Sequence, residues 1–239
     1  MKLKLICSLI LATSLSSNVN AEGWTGQGEA GFVSSSGNTD SDSLNLGLKF
    51  AKEGKVWNHE IGLSAYQAST EGTDTAENFN AGYTLKRNIN ERSNIFLNFG
   101  YLDDDFDGFT EQLSASVGYG YKVINNEKTK WETGAGVGYR DTSLFDVATG
   151  IEGEDVSSAT FVLRSDFETQ LTETTRFVDN FKAEIGSDNT YIENDAALYV
   201  AINEKFSLKA GYLLRHNTDP APGADETDTI TSLSLVYGF

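Results

Sequence analysis

His59 and His216 are the only two histidines in the chain. A lipase-type site needs a serine or similar nucleophile within hydrogen-bond reach of a base, usually histidine. His59 follows a polar turn that ends at Lys55, and His216 precedes a polar stretch that begins at Asn217. If the chain crosses a membrane between these points, the two rings stand at opposite ends of a band about 25 Å tall and cannot share a site. Asp103-Asp104-Asp105 offers paired carboxylates, but acid runs in loops are ordinarily solvated. The reading is therefore of a non-enzyme with no cofactor. Carboxylate oxygens also suit Ca²⁺ and Mg²⁺. The densest acidic segments, 103–107 and 219–228, lack the spacing of a defined loop site. They read as a hydrated anionic surface rather than a metal centre.

A third chemistry is carried by charges at alternate positions. Lys49, Lys86, Lys122, Arg140, Arg164, Lys182, Lys209 and Arg215 share a phase with Glu29, Glu60, Glu132, Asp166, Glu168, Glu184 and Asp195. The opposite phase is apolar. Leu44, Leu46, Leu48 and Phe50 alternate with Asn45, Gly47 and Lys49, and Leu113, Ala115, Val117, Tyr119 and Tyr121 alternate with Ser114, Ser116, Gly118 and Gly120. Period two with one apolar face defines strands. About twelve such segments occur, each near the ~10 residues that a tilted membrane strand requires. The fold class expected is all-β, a transmembrane antiparallel β-barrel of about twelve strands. The charges then face its lumen. Lys122, Arg140, Arg164, Lys182 and Arg215 are the candidate basic track that would set solute selectivity, and inward Gly118, Gly120, Gly134, Gly136 and Gly138 would leave room for water.

The connections fall into two sets. Short ones lie at 52–55, 88–92, 125–129, 172–174 and 203–205. Three echo one another: Ile89-Asn90-Glu91-Arg92, Leu171-Thr172-Glu173-Thr174 and Ile202-Asn203-Glu204-Lys205. Longer acidic ones lie at 34–42, 70–77, 103–108, 141–155, 187–194 and 217–228. Short periplasmic turns and longer outer loops are the habit of bacterial barrels, and they place both termini in the periplasm. Trp57, Trp131, Phe177 and Phe206 follow short turns and Tyr101 and Tyr139 precede long loops, as interfacial girdles require.

The first residues read as an export leader. Met1-Lys2-Leu3-Lys4 is basic, Leu5 to Leu15 is mostly apolar, and Val19-Asn20-Ala21 is small before Glu22. Cleavage is expected between Ala21 and Glu22, dividing the chain into a leader, 1–21, and a barrel, 22–239. Cys7, the single cysteine, leaves with the leader. The net charge is −17, and loss of Lys2 and Lys4 makes it more negative. Such a balance argues against nucleic acid and against anionic lipid surfaces as partners.

The start of the barrel reads Gly23-Trp24-Thr25-Gly26, Glu29-Ala30-Gly31 and Ser36-Gly37-Asn38-Thr39. Its end reads Gly211-Tyr212, Arg215, Asp219-Pro220, Thr227-Asp228, Leu233, Tyr237 and Phe239. These motifs resemble the YdiY-like, "salt-induced" outer-membrane protein family, a domain of unknown function, over essentially the whole exported chain. Glu226 departs from the basic residue expected before Thr-Asp. The resemblance implies the outer membrane of a Gram-negative bacterium, with lipid, lipopolysaccharide, and the secretion and barrel-assembly machinery as partners. It also implies that the terminal strand, through Leu233, Leu235, Tyr237 and Phe239, serves as the assembly signal. It brings no substrate and no catalytic residues. The expected function is a monomeric barrel with a narrow channel for small solutes, or a non-conducting barrel of structural or stress-related role.

Overall fold

The structure, a computed structural model, describes residues 23–35, 41–104, 109–146, 151–187, 189–220 and 224–239. The expected leader with Ala21 and Glu22, and the segment Ser36-Gly37-Asn38-Thr39, lie outside the described residues. Twelve strands follow one another: β1 Trp24–Ser35, β2 Ser41–Lys52, β3 Trp57–Thr70, β4 Thr73–Asn88, β5 Ser93–Asp104, β6 Phe109–Asn125, β7 Thr129–Asp146, β8 Ile151–Gln170, β9 Thr175–Ile185, β10 Thr190–Ala201, β11 Phe206–Asn217 and β12 Thr227–Gly238. Each pairs antiparallel with its neighbours in sequence, and β12 pairs with β1, closing a barrel. The alternation sorts the side chains as expected. Phe99, Leu113, Val117, Tyr139, Phe161 and Leu233 are exposed on the outer wall, while Lys86, Glu132, Arg140, Arg164 and Glu184 point into the lumen and meet one another there.

Four of the five turns at the lower end, where the connections are short, share one device; the turn at 52–55 instead has Gly54 N–H donating to Asn58 Oδ1 at 2.9 Å. Asn90 Oδ1 accepts hydrogen bonds from the backbone N–H of Arg92 and Ser93, both at 2.9 Å. Asn126 does the same for Lys128 and Thr129 at 3.0 and 2.7 Å, and Asn203 for Lys205 and Phe206 at 2.9 Å each. Thr172 Oγ1 takes this role for Thr174 and Thr175 at 3.3 and 3.0 Å. The echo among these segments is thus one side-chain-to-backbone turn used repeatedly.

At the upper end the strands run further than expected. The segment 70–77 is not a loop. β3 and β4 extend through a bulge at Ala68/Ser69 and join at Glu71 and Gly72, with φ of +53° and +74°. Two consecutive positive φ values are the mark of a tight hairpin turn whose twist matches its strands. Likewise most of 141–155 is strand, since β7 continues to Asp146 and β8 begins at Ile151. Polar residues continue a ladder as readily as apolar ones when both faces are wet, so composition misread these extensions as loops.

The seam between β12 and β1 is short, running from Gln27↔Gly238 to Ala30↔Leu235. Phe239 extends it: Gly26 N–H donates to Phe239 O at 2.8 Å, and Phe239 N–H donates to Gly26 O at 2.9 Å. The Phe239 ring lies where a Cβ on residue 26 would be, and it packs against Phe50 and Tyr237 with centroids 5.9 Å away in both cases. Inside the barrel the same seam is stapled by polar groups. Lys209 Nζ on β11 reaches Glu29 Oε2 on β1 at 3.0 Å. Asn45 Nδ2 on β2 donates to Glu29 Oε1 at 3.0 Å and to Ser234 Oγ on β12 at 3.3 Å.

Deleting Phe239 should therefore open the seam and impair assembly, and Gly26→Leu should do the same by displacing the ring. Both are measured as loss of the heat-modifiable electrophoretic band of a closed barrel. Normal insertion of either variant would contradict this account of closure.

Candidate functional site: the charged lumen

The lumen-facing residues do not form an even lining. From β4 to β11 the upper lumen is packed. Asn78, Leu102, Asp104, Gln112, Arg140, Thr160, Val162, Glu184, Tyr191 and Arg215 are all buried. Ion pairs join strands that are not neighbours. Arg215 Nη1 on β11 lies 3.4 Å from Asp104 Oδ2 on β5, with side chains 8% and 4% exposed. β5 and β11 stand on opposite sides of the ring, so this pair spans the barrel. Arg215 Nε also reaches Glu193 Oε2 at 3.2 Å, and Tyr191 donates its hydroxyl to the same oxygen at 3.0 Å. Arg140 and Lys182 converge on Glu184, each at 3.6 Å, and both cations lie over the Tyr191 ring. Charges removed from water this far need partners; Arg215 finds them as hydrogen bonds, whereas at Glu184 the pairing is ionic only, its Oε2 having no hydrogen-bond partner.

A second knot sits lower. Lys86 Nζ on β4 donates to Glu132 Oε1 on β7 at 2.7 Å and to Asp166 Oδ2 on β8 at 3.4 Å. Arg164 donates to Asp166 Oδ2 at 2.7 Å and, across the lumen, to Asn98 Oδ1 on β5 at 3.0 Å. The Arg164 guanidinium covers the Phe96 ring at 5.1 Å.

Phe96 is an aromatic residue on the polar face, 0% exposed. It decides what the inward glycines do. A Cβ at Gly118 would overlap the Phe96 ring, one at Gly134 would come within 2.9 Å of it, and one at Gly120 would come within 2.6 Å of Asn94 Oδ1. The expectation that these glycines leave room for water is corrected: Gly118, Gly120 and Gly134 make room for Phe96 and Asn94. Gly136 and Gly138 instead accept close backbone approach from Val117 and Ala115.

The opposite sector is open. Lys49 and Glu60 on β2 and β3 pair at 2.9 Å with 44% and 49% of their side chains exposed. A Cβ at neighbouring Gly62 would meet nothing within 4 Å. Across from them on β9, Asn180 is exposed and Lys182 is 36% exposed. The accessible lumen is thus an eccentric strip of mixed charge beside a packed half.

The five residues of the expected basic track do not line up as one. Arg164 and Lys182 are register partners, and Arg140 meets Lys182 only through Glu184. Arg215 belongs to the pair across the barrel, and Lys122 stands opposite Glu132 near the lower turns. Carboxylates interleave throughout. The key partners Asp104 and Glu193 lay in segments read as loops, and Phe96 was hidden because both its strand neighbours, Ile95 and Leu97, are apolar too.

The two histidines are where the topology predicts. His59 Nδ1 shares a 2.9 Å hydrogen bond with Tyr83 Oη among the outer aromatics of the lower end. His216 Nδ1 shares one of 2.8 Å with Thr227 Oγ1 at the upper end. Asp103 and Asp104 face opposite sides of β5: Tyr101 donates its hydroxyl to Asp103 at 3.3 Å, whereas Asp104 points inward to Arg215. Consecutive strand residues cannot close on one cation from the same side. Asp105 and Asp107 lie outside the described residues. Among the described residues, no three ligating side chains gather into a metal site.

Fold and site together define a closed twelve-strand antiparallel β-barrel with a charged lumen. The profile of the family described as "Protein of unknown function, DUF481" matches residues 28–239, and the chain belongs to that family. It is 28% identical over 211 residues to the "Uncharacterized protein YdiY" of Escherichia coli (strain K12), spanning 88% of this chain and 81% of that protein. The translocator domain of autotransporter NalP from Neisseria meningitidis is 10% identical with a TM-score of 0.48, covering 100% of this chain and 95% of that one. The NanC porin is 8% identical with a TM-score of 0.48, covering 90% and 97%.

Two substitutions probe the packed half. Phe96→Ala should cost about 3 kcal/mol of stability, as large-to-small changes in packed interiors do. Asp104→Ala, which removes one of the carboxylate partners of Arg215 and leaves Glu193 in place, should cost somewhat less, about 2 kcal/mol. Denaturant unfolding in detergent or lipid reads both.

Proposed function

We propose that the protein is a monomeric β-barrel of the outer membrane of a Gram-negative bacterium, with both termini periplasmic. In this reading the lumen is a narrow, weakly selective path for small solutes. The outer wall supports the membrane location. It exposes Leu, Val, Phe and Tyr around the barrel, with aromatic pairs such as Trp131–Phe167 and Phe206–Tyr237 at the lower edge. An apolar wall of this kind suits hydrocarbon, and closure satisfies the backbone that hydrocarbon cannot. Lipid and lipopolysaccharide are then its surroundings, and the secretion and barrel-assembly machinery its route.

The observation that carries the channel reading is the accessible strip. Lys49 and Glu60 keep nearly half their surface inside a barrel, beside the unfilled space at Gly62. Charges of both signs at a water-filled wall pass small ions with little preference. A second reading, a non-conducting barrel of structural or stress-related role, is favoured by the Arg215–Asp104 pair that spans the upper lumen.

Single-channel recording in a planar bilayer under a salt gradient separates the two. The channel reading expects discrete steps, with Lys49→Gln moving the reversal potential toward cation preference and Glu60→Gln toward anion preference. Arg164→Gln, in the packed half, should leave it in place. A silent bilayer with insertion verified would overturn the channel reading in favour of the structural one.

A further inference from the structure

The lysines and arginines that do not face the lumen are confined to one end of the barrel. Lys52, Lys55, Arg87, Arg92, Lys128 and Lys205 lie in or beside the short turns, whereas segments 34–42, 70–77, 103–111, 141–155, 187–194 and 217–228 contain no lysine or arginine. Four of these cations sit on the outer aromatic edge. Lys52 Nζ lies 6.0 Å from the Trp24 ring, the Arg87 guanidinium 5.7 Å from Trp57, and Lys205 Nζ 6.0 Å from Tyr237. Arg92 stands beside Tyr121, the register partner of Ser93, held there because its carbonyl accepts from Lys122 N–H at 2.8 Å. They follow one another along an arc running from β12 through β1 to β6. The rest of the edge, β7 to β10, carries Trp131, Phe167 and Phe177, and the outward polar contacts there are uncharged: Trp131 Nε1 donates to Ser165 Oγ at 3.0 Å, and the Thr129 and Thr169 hydroxyls share a 2.9 Å hydrogen bond.

What these four cations lack is as informative. The lumen cations Lys86, Arg164, Lys209 and Arg215 all have carboxylate partners. Among the described residues, no carboxylate lies within 4.0 Å of Lys52, Arg87, Arg92 or Lys205 in an ion pair. Their positions are also fixed in advance. Asn90 and Asn203 clamp the backbone of Arg92 and Lys205, and Lys205 O accepts from Gly238 N–H at 2.8 Å. A cation held over an aromatic ring keeps its charge toward the open side, with its aliphatic stem against the apolar wall.

We propose that this arc is a binding belt for the phosphodiester headgroups of anionic phospholipids in the leaflet at the short-turn end. The inference rests on the membrane reading above. Net charge, which argues against anionic lipid for the chain as a whole, misleads here because most of the acids lie in the long segments at the other end or in the lumen, the short turns holding only Glu53, Glu91, Glu127, Glu173 and Glu204, and a Debye length at physiological salt is only about 8 Å.

The test uses the full barrel in phosphatidylcholine bilayers, with spin-labelled phosphatidylglycerol or spin-labelled phosphatidylcholine as probe. The motionally restricted fraction of each gives their relative association. Preference for phosphatidylglycerol is expected, falling by up to about fivefold for each cation removed near the surface and vanishing when Lys52→Gln, Arg87→Gln, Arg92→Gln and Lys205→Gln are combined. The matched variant Glu53→Gln, Glu91→Gln, Glu204→Gln should keep it. Equal association of both lipids with the inserted wild-type barrel, or a preference that survives the fourfold variant, would overturn the belt while leaving the barrel intact. Failure to insert would instead count against the membrane reading. If the fourfold variant loses binding of lipopolysaccharide phosphate rather than phosphatidylglycerol, the leaflet assignment is overturned.

Discussion

Closure at β12 and β1 is the constraint on which the rest depends. A sheet with a free edge leaves a row of backbone donors and acceptors unpaired, and in hydrocarbon each costs several kcal/mol. The closing register is short, so side chains must secure it from both faces. Phe239 does so outside, where Gly26 yields the space its ring needs. Lys209, Glu29, Asn45 and Ser234 do so inside. The inner staple crosses from β11 to β1 and from β2 to β12, so two of its three bonds skip a strand and pull the seam shut rather than lengthening one ladder.

Closing twelve strands creates a lumen too wide for one layer of side chains to fill evenly, since barrels of about eight strands already have room for theirs. Here the space is divided instead. One half is filled by long charged side chains reaching across to non-neighbouring strands, with Phe96 lodged over Gly118 and Gly134. The other half keeps Lys49, Glu60 and Gly62 in contact with solvent. Desolvation explains the contrast. Arg140 and Glu184 are each 5% exposed and stand beside a third charge, Lys182, and an aromatic ring, whereas the exposed Lys49–Glu60 pair needs no such company.

Much of this was legible in the residues. Period-two alternation gave the strand number, the lumen face and the end of the barrel at which each histidine sits. The echo among Ile89-Asn90, Leu171-Thr172 and Ile202-Asn203 proved to be a turn with a single physical cause. Two things were not legible. Acidity was read as loop at 70–77, because a strand projecting into water on both faces loses the alternation that identifies it, and at Asp104, because an acid buried against a distant Arg215 looks in sequence like any solvated acid. The pairing partners of Arg140, Arg164 and Arg215 were also hidden, because strand tilt brings together residues whose sequence separation carries no signal; Arg215 and Asp104 are 111 positions apart. The belt of outward cations illustrates the same limit: its members are scattered in sequence, and only the closed ring sets them side by side.

The central claim is that the lumen is half packed and half open. Cysteine accessibility tests it directly, since Cys7 is the only native cysteine and belongs to the expected leader. Gly62→Cys places a thiol where a side chain meets open space, and Thr160→Cys places one on the buried lumen wall of β8. With the barrel inserted in lipid, a membrane-impermeant thiol reagent should modify residue 62 readily and leave residue 160 untouched. Modification of both at similar rates would mean an open lumen, and modification of neither a fully plugged one; either result would contradict the account.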